Sequence, residues 1–228
     1  MDGLHHELFE AVRSYKMPPL AVRLLEQSLP LIISAVTAGG KTTTADRIVK
    51  KSDYRHVITH TTRTIRPDEA NGVNYWFVDE AKMLELIKQG AFIEVQPVHG
   101  DTIYGTSQEA YQSVIKTGHK PLLVMDVQGI QEVISNIPLT QPFFMLPPTY
   151  ETWMDRLHDR GNMDPLEKTK RLQSAKKEIE TVLADPHFVL VINYDIERTA
   201  NEILQGLTMA NQRASREIAQ GLVDQIKI

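Results

Sequence analysis

A lysine and a threonine that follow two glycines at the end of an apolar run are the residues whose types and spacing best suggest chemistry. Residues 35–42 read Ala-Val-Thr-Ala-Gly-Gly-Lys-Thr. Before them, Leu31-Ile32-Ile33-Ser34 continues into Ala35-Val36, a short β-branched run that predicts a buried parallel strand. After them a helix is predicted over 41–51. A strand, a glycine-bearing turn and a helix start are the context of a P-loop, where backbone N–H groups and the positive helix end face phosphates. Lys41 would carry a mobile point charge to the β and γ oxygens, and Thr42 would place a hydroxyl on Mg²⁺. The plain alternative is an ordinary turn containing a chance Gly-Gly-Lys. Ala35 stands where the pattern begins with glycine. A Cβ there costs roughly 1–2 kcal/mol if its φ must be positive, and little if φ is negative.

Four further groups carry possible chemistry. Asp126 ends the apolar run Pro121-Leu122-Leu123-Val124-Met125. That is the strand end at which open α/β sheets bind ligands, so it is a second candidate for the metal; alternatively it caps the next turn. Arg63 and Arg66 lie close together in an extended stretch, and two guanidinium forks suit a phosphate; pairing with Asp68 and Glu69 is the other use. Tyr75 and Tyr104 could each donate a hydroxyl to that phosphate, or simply pack. Glu94 sits in Phe92-Ile93-Glu94-Val95, a carboxylate inside an apolar strand, and a buried carboxylate needs partners. The N1–H and N2–H₂ edge of guanine is one such partner, and a nearby arginine is another.

The elements that must position these groups alternate. Helices are predicted over 5–15, 20–28, 41–51, 79–89, 107–117, 149–159 and 165–183, with one long polar helix over about 196–224. Strands are predicted over 31–36, 92–96, 121–126, 142–146 and 188–193, with strand-like alternation over 57–78 and a turn at Asn71-Gly72. Buried strands alternating with helices imply a mostly parallel sheet with helices on both faces. Residues 1–29 read as an N-terminal helical extension, and 207–228 as a C-terminal helix that projects or mediates assembly. The 228 residues suit one α/β domain with small insertions.

Composition narrows the possible partners. A net charge of -4 opposes broad nucleic-acid or anionic-membrane binding, while a local cationic cluster still suffices for a nucleotide. Cysteine is absent, so there is no disulfide framework or Cys-based zinc site, and a cytoplasmic location is expected. No apolar run reaches the roughly 18–20 residues of a membrane span. The first thirteen residues lack the basic start and apolar centre of a secretory signal.

Taken together, the chain resembles guanylate kinases over about residues 30–206. The resemblance rests on Thr61-Thr62-Arg63 with Arg66 and Glu69, Asn71-Gly72 with Tyr75, Phe77-Val78, Phe92-Ile93-Glu94 and Tyr104-Gly105-Thr106. It continues through Asp126-Val127-Gln128-Gly129, Leu146-Pro147-Pro148, Arg156 to Gly161, Arg171-Leu172 and Ile192-Asn193. It implies a P-loop NTPase-type α/β fold, with a small mixed β subdomain for the monophosphate at 57–106 and a helical lid at 149–178. It also implies transfer of a phosphoryl group from ATP to GMP with Mg²⁺, by a monomer or homodimer.

By the same resemblance, Ala35, Val36, Thr37, Ala38, Gly39, Gly40, Lys41, Thr42 and Thr43, with Asn193, would bind ATP. Arg63, Arg66, Tyr75 and Tyr104, with Glu69 beside them, would hold the GMP phosphate. Glu94, Thr106, Thr59 and Asp126 would read guanine. Lys41 and the lid arginines Arg156, Arg160 and Arg171 would act on the transferred phosphoryl group. Three departures stand out. The family loop usually begins Gly-Pro-Ser-Gly where this chain has Ala35 to Ala38, Val124 replaces a carboxylate, and one extra residue falls within 99–103. They keep open a weakened domain that binds phosphorylated proteins, or a kinase for another monophosphate.

Overall fold

The computed structural model describes residues 3–98, 102–159 and 164–227. In chain order the elements are α1 (Gly3–Ser14), α2 (Pro19–Gln27), β1 (Leu31–Ala35), α3 (Lys41–Lys51), β2 (Tyr54–His56), β3 (His60–Thr61), β4 (Trp76–Phe77), α4 (Glu80–Lys88) and β5 (Phe92–Val98). They continue with β6 (Thr102–Ser107), α5 (Gln108–Lys116), β7 (Lys120–Val124), α6 (Val127–Asn136), β8 (Phe143–Leu146), α7 (Tyr150–His158), α8 (Pro165–Ala184), β9 (Val189–Ile192), α9 (Ile196–Gln205) and α10 (Met209–Gln225). The five-stranded sheet has the order β2-β7-β1-β8-β9, and β2 with β7, β1 with β8 and β8 with β9 all run parallel. A four-stranded mixed sheet has the order β4-β3-β6-β5. No helix among the described residues is long and apolar enough to cross a membrane.

The chain divides into two compact units, residues 32–53 with 141–228 and residues 1–31 with 54–140. In the first, Phe144, Met145, Leu146, Leu190 and Val191 are wholly buried, as expected of parallel strands covered on both faces. Helices α7, α9 and α10 start on side-chain caps: Thr149 accepts from the Thr152 N–H, Asp195 from the Arg198 N–H and Thr208 from the Asn211 N–H. The C-terminal helix α10 buries Ser215, Ala219, Leu222 and Val223 and packs on α8 and β9.

In the other unit, α4 and β5 share a core with the N-terminal helix. Leu8 and Val12 of α1 are buried together with Met83, Leu84, Ile87, Phe92, Val95 and Ile103. The helix predicted over 5–15 therefore buries one face, Leu8 and Val12, in this core. An ion pair of Lys88 with Glu7 (2.6 Å) and a hydrogen bond between His5 Nδ1 and Glu80 Oε1 (2.8 Å) border the contact.

Five features depart from the sequence expectations. The helix expected over 196–224 is two helices, because Gly206 adopts φ 81° and Thr208 begins a new one. The alternation over 57–78 forms only the two-residue strands β3 and β4, and turns fill the interval. Strands β2 and β6 and helix α6 were not among the expected elements. Strand β6 is polar and glycine-bearing, and α6 follows the strand-end Asp126 directly.

Candidate active site

The loop after β1 is held by its carbonyls. Val36 O accepts from Gly39 N (2.8 Å), Thr37 O from Trp153 Nε1 (2.8 Å) and Gly39 O from Asn193 Nδ2 (2.8 Å). The loop ends in Gly40, the N-cap of α3, at φ 90°, and Lys41, Thr42 and Thr43 begin the helix. N–H groups of a first helical turn have no intrahelical acceptor, so this end presents donors and a positive dipole to an anion. Thr42 and Thr43 are exposed, and Lys41 is half-exposed.

The glycine question at the loop resolves at a different position. Ala35 closes β1, buried, and is not among the positive-φ residues. Ala38, at φ 58°, is the one non-glycine residue among those described in the left-handed region. It carries the penalty of roughly 1–2 kcal/mol that sequence reasoning considered for Ala35. Gly39 is constrained in turn: a Cβ there would stand 2.8 Å from both Ala35 Cβ and Val36 O, and 3.2 Å from Met145 O. The Ala35 methyl occupies part of the space that a methyl on residue 39 needs. Gly39→Ala alone is expected to lose about 1–3 kcal/mol by overpacking. Adding Ala35→Gly should recover about 1 kcal/mol of that loss, measured as a coupling energy in a denaturation double-mutant cycle. Strictly additive losses would refute the exchange.

Asn193 is 2 % exposed, and its amide is committed to the protein. Besides donating to Gly39, it accepts from Thr199 Oγ1 (3.0 Å), and its backbone carbonyl accepts from Arg156 Nη2 (2.9 Å). Burial lowers the pKa of the Arg156 guanidinium from its ordinary value. Arg171 is paired within its own helix, with Nη2 at 2.6 Å from Glu167 Oε1. Arg160 lies outside the described residues, as does most of the segment holding the expected one-residue insertion.

In the other unit, four of the expected acceptor residues form one cluster. Arg63 Nε donates to Tyr104 Oη (3.2 Å) and Nη2 to Glu69 Oε1 (2.6 Å), while its guanidinium carbon lies 5.4 Å from the Tyr75 ring centroid. The rings of Tyr75 and Tyr104 meet edge to face at 5.6 Å. The hydrogen bond from Arg63 holds Glu69 below the usual carboxylate range, and the same bond raises Arg63. Glu69 Oε2 also accepts from the Arg66 N–H (2.9 Å), whereas the Arg66 side chain is exposed. Glu69 thus pairs with Arg63, as the surface alternative proposed, and the aromatic residues gather around the same guanidinium.

Glu94 is buried, and its Oε1 accepts from both the N–H (3.1 Å) and the hydroxyl (2.7 Å) of Thr106. Its pKa rises to about 7, chiefly through burial, with the charges of Asp126 and Glu132 adding to the rise against the Thr106 bonds. Gly129 of α6 lets the carboxylate approach, because a Cβ there would stand 2.9 Å from Glu94 Oε2. Asp126 is half-buried at the N-cap of α6. Thr59 is half-buried just before β3, and its carbonyl accepts from the Trp76 N–H (2.8 Å). Sequence reasoning missed Trp153 and Thr199 as supports of the loop; each reads locally as an ordinary helix residue.

A parallel sheet, with a glycine turn at the end of β1 opening into α3, defines an α/β protein of the P-loop class. Residues 27–210 match the guanylate kinase family. The guanylate kinase of Neisseria gonorrhoeae is 36 % identical over 189 residues, which span 82 % of this chain and 90 % of that one. That of Hahella chejuensis is 36 % identical over 174 residues, 75 % of this chain and 82 % of that one. The crystal structure of the Anaplasma phagocytophilum guanylate kinase superposes with a TM-score of 0.60 at 26 % identity, covering 88 % of each chain. The chain belongs to the guanylate kinase family.

Proposed function

We propose that this chain transfers the γ-phosphoryl group of ATP to the phosphate of GMP, giving ADP and GDP. The observation that carries the reading is Glu94. A buried carboxylate fixed through one oxygen by Thr106, in the same unit as the Arg63–Tyr75–Tyr104 cluster, suits a ligand with a donor edge at one end and a phosphate at the other. Thr59 and Asp126 would add contacts to the base, and Arg66 to the phosphate. The loop 35–43 would take the ATP phosphates, with Asn193 and Trp153 holding its shape.

A GMP phosphate oxygen attacks the γ-phosphorus in line, and the bond from that phosphorus to the β–γ bridging oxygen breaks, so ADP leaves. The acceptor is already an anion, so no general base is required. Catalysis then rests on positioning and charge neutralisation by Lys41 and by the lid arginines Arg156, Arg160 and Arg171. Arg171 would leave Glu167 to take part.

The donor set fits Mg²⁺. Thr42 offers an exposed hydroxyl oxygen at the start of α3. Magnesium is usually held by one or two protein oxygens, with substrate phosphates and water completing its octahedron. Thr42 would hold it, with Asp126 as a second candidate. Once bound it would neutralise phosphate charge.

The test is ADP release with ATP, Mg²⁺ and a panel of monophosphates. GMP-dependent turnover exceeding that with AMP, CMP or UMP by a factor of 10² or more is expected. Equal turnover across the panel would overturn the guanine assignment. No turnover, combined with tight phosphopeptide binding, would favour a binding module.

A further inference from the structure

We infer that Tyr15 is a positioning residue for guanine recognition: its hydroxyl clamps the Phe92 peptide at the start of β5 and thereby fixes the strand segment that carries Glu94. The inference rests on the proposed role of Glu94. The Tyr15 hydroxyl donates to Phe92 O (2.7 Å) and accepts from Phe92 N (3.0 Å). One phenolic oxygen therefore does for this residue what a neighbouring strand would do, because β5 is the edge of its sheet.

The clamp lies where the strand is irregular. Phe92 pairs with Ser107 and Glu94 with Thr106, so two steps along β5 match one step along β6. Such a bulge re-aims side chains and leaves the ladder locally broken. Here it determines where the Glu94 carboxylate lies relative to Thr106. Phe92 is also fixed through its ring, which stands 2.8 Å from where a Cβ on Gly105 would lie. The backbone and ring of Phe92 are thus both held, two residues before the carboxylate.

The hydroxyl is suited to this double role. Burial pushes its pKa up to about 12 against the opposing bond to Phe92, with the Glu94 charge adding to the rise, so it stays protonated over the working range. The helix that delivers it is anchored independently of it, by Leu8 and Val12 in the shared core and by the pairing of Lys88 with Glu7. Tyr15 comes from the segment preceding residue 27, where the family match begins. The N-terminal helices therefore contribute a support for the base site that the matched region does not contain.

The experiment compares the full-length protein with Tyr15→Phe, which removes one oxygen, and with Val12→Ala, which loosens the same helix and spares the hydroxyl. Calorimetric Kd and steady-state KM for GMP should each rise about fivefold to tenfold in Tyr15→Phe. Its KM for ATP and its kcat should stay within twofold of the parent. The Phe92 amide should lose at least tenfold of its hydrogen-exchange protection. Val12→Ala should lower Tm with the KM for GMP unchanged. If the parent binds GMP and Tyr15→Phe binds it equally well, or if Val12→Ala weakens GMP binding as much as Tyr15→Phe does, the clamp is refuted while the kinase assignment stands. If the parent does not bind GMP, the assignment fails and the clamp fails with it.

Discussion

Replacing Lys41 by Ala should lower kcat for GMP phosphorylation by about 10³-fold or more, with the KM for GMP changed less than threefold. Removing one preorganised donor to a transition-state oxyanion typically costs 10²–10³-fold, and removing a full charge from a phosphoryl-transfer site costs at the upper end of that range or beyond. Lys41 is the first residue of α3, directly after a left-handed Gly40, so its charge is delivered by a short, well-anchored turn. The loop geometry depends on carbonyls bonded to Trp153, Asn193 and the Gly39 N–H, none of which involves the lysine side chain. Unchanged turnover in rapid-quench measurements would remove the lysine from the mechanism.

Glu94→Gln should move stability and affinity in opposite directions. Folding raises the Glu94 pKa from 4.5 to about 7, so the folded state takes up a proton between those values. The stabilising contribution is fully present below about pH 4.5 and is lost as pH rises through about 7. Its full size is roughly 3 kcal/mol, because each pKa unit corresponds to about 1.4 kcal/mol. An amide has no such charge to bury and can still accept from Thr106. At pH 8 the variant should therefore be more stable than the parent by about 1–3 kcal/mol, and at pH 5 the two should converge. Its GMP affinity at pH 8 should fall by about 10²-fold, since a carboxylate accepts from both N1–H and N2–H₂ whereas an amide turns a donor toward one of them. The parent should bind GMP more tightly, relative to the variant, as pH rises from 5 to 8. Denaturant melts and calorimetry at the two pH values measure both effects. A variant destabilised equally at each pH would contradict the buried-charge account.

The local parts of the site were legible in the sequence. Gly40, Lys41 and Thr42 are consecutive, and the apolar run before them forces a strand, so the succession of strand, glycine turn and helix could be read within a dozen residues. Glu94 was conspicuous because an ionisable group interrupts an apolar strand. The supports of these residues were not legible, because they come from far along the chain. Trp153 reaches Thr37 across 116 residues and Asn193 reaches Gly39 across 154, and nothing local to a tryptophan or an asparagine names its acceptor. The same holds for Tyr15, 77 residues from Phe92. The apolar face of α1 could be seen, but what it covers could not. Strand β6 escaped notice because Thr102, Gly105, Thr106 and Ser107 give it little alternation. The residues of α6, Val127, Ile130, Val133 and Ile134, have helical spacing.

The dependence of the phosphate loop on Asn193 has a consequence for biosynthesis. Ribosomes add about 5–20 residues per second, so the 154 residues between Gly39 and its partner amide take about 8–30 s to emerge. Throughout that interval the loop has been made but lacks the side chain that holds the Gly39 carbonyl. A nascent or prematurely terminated chain that stops short of Asn193 should therefore lack this support of the loop, however complete its glycine motif.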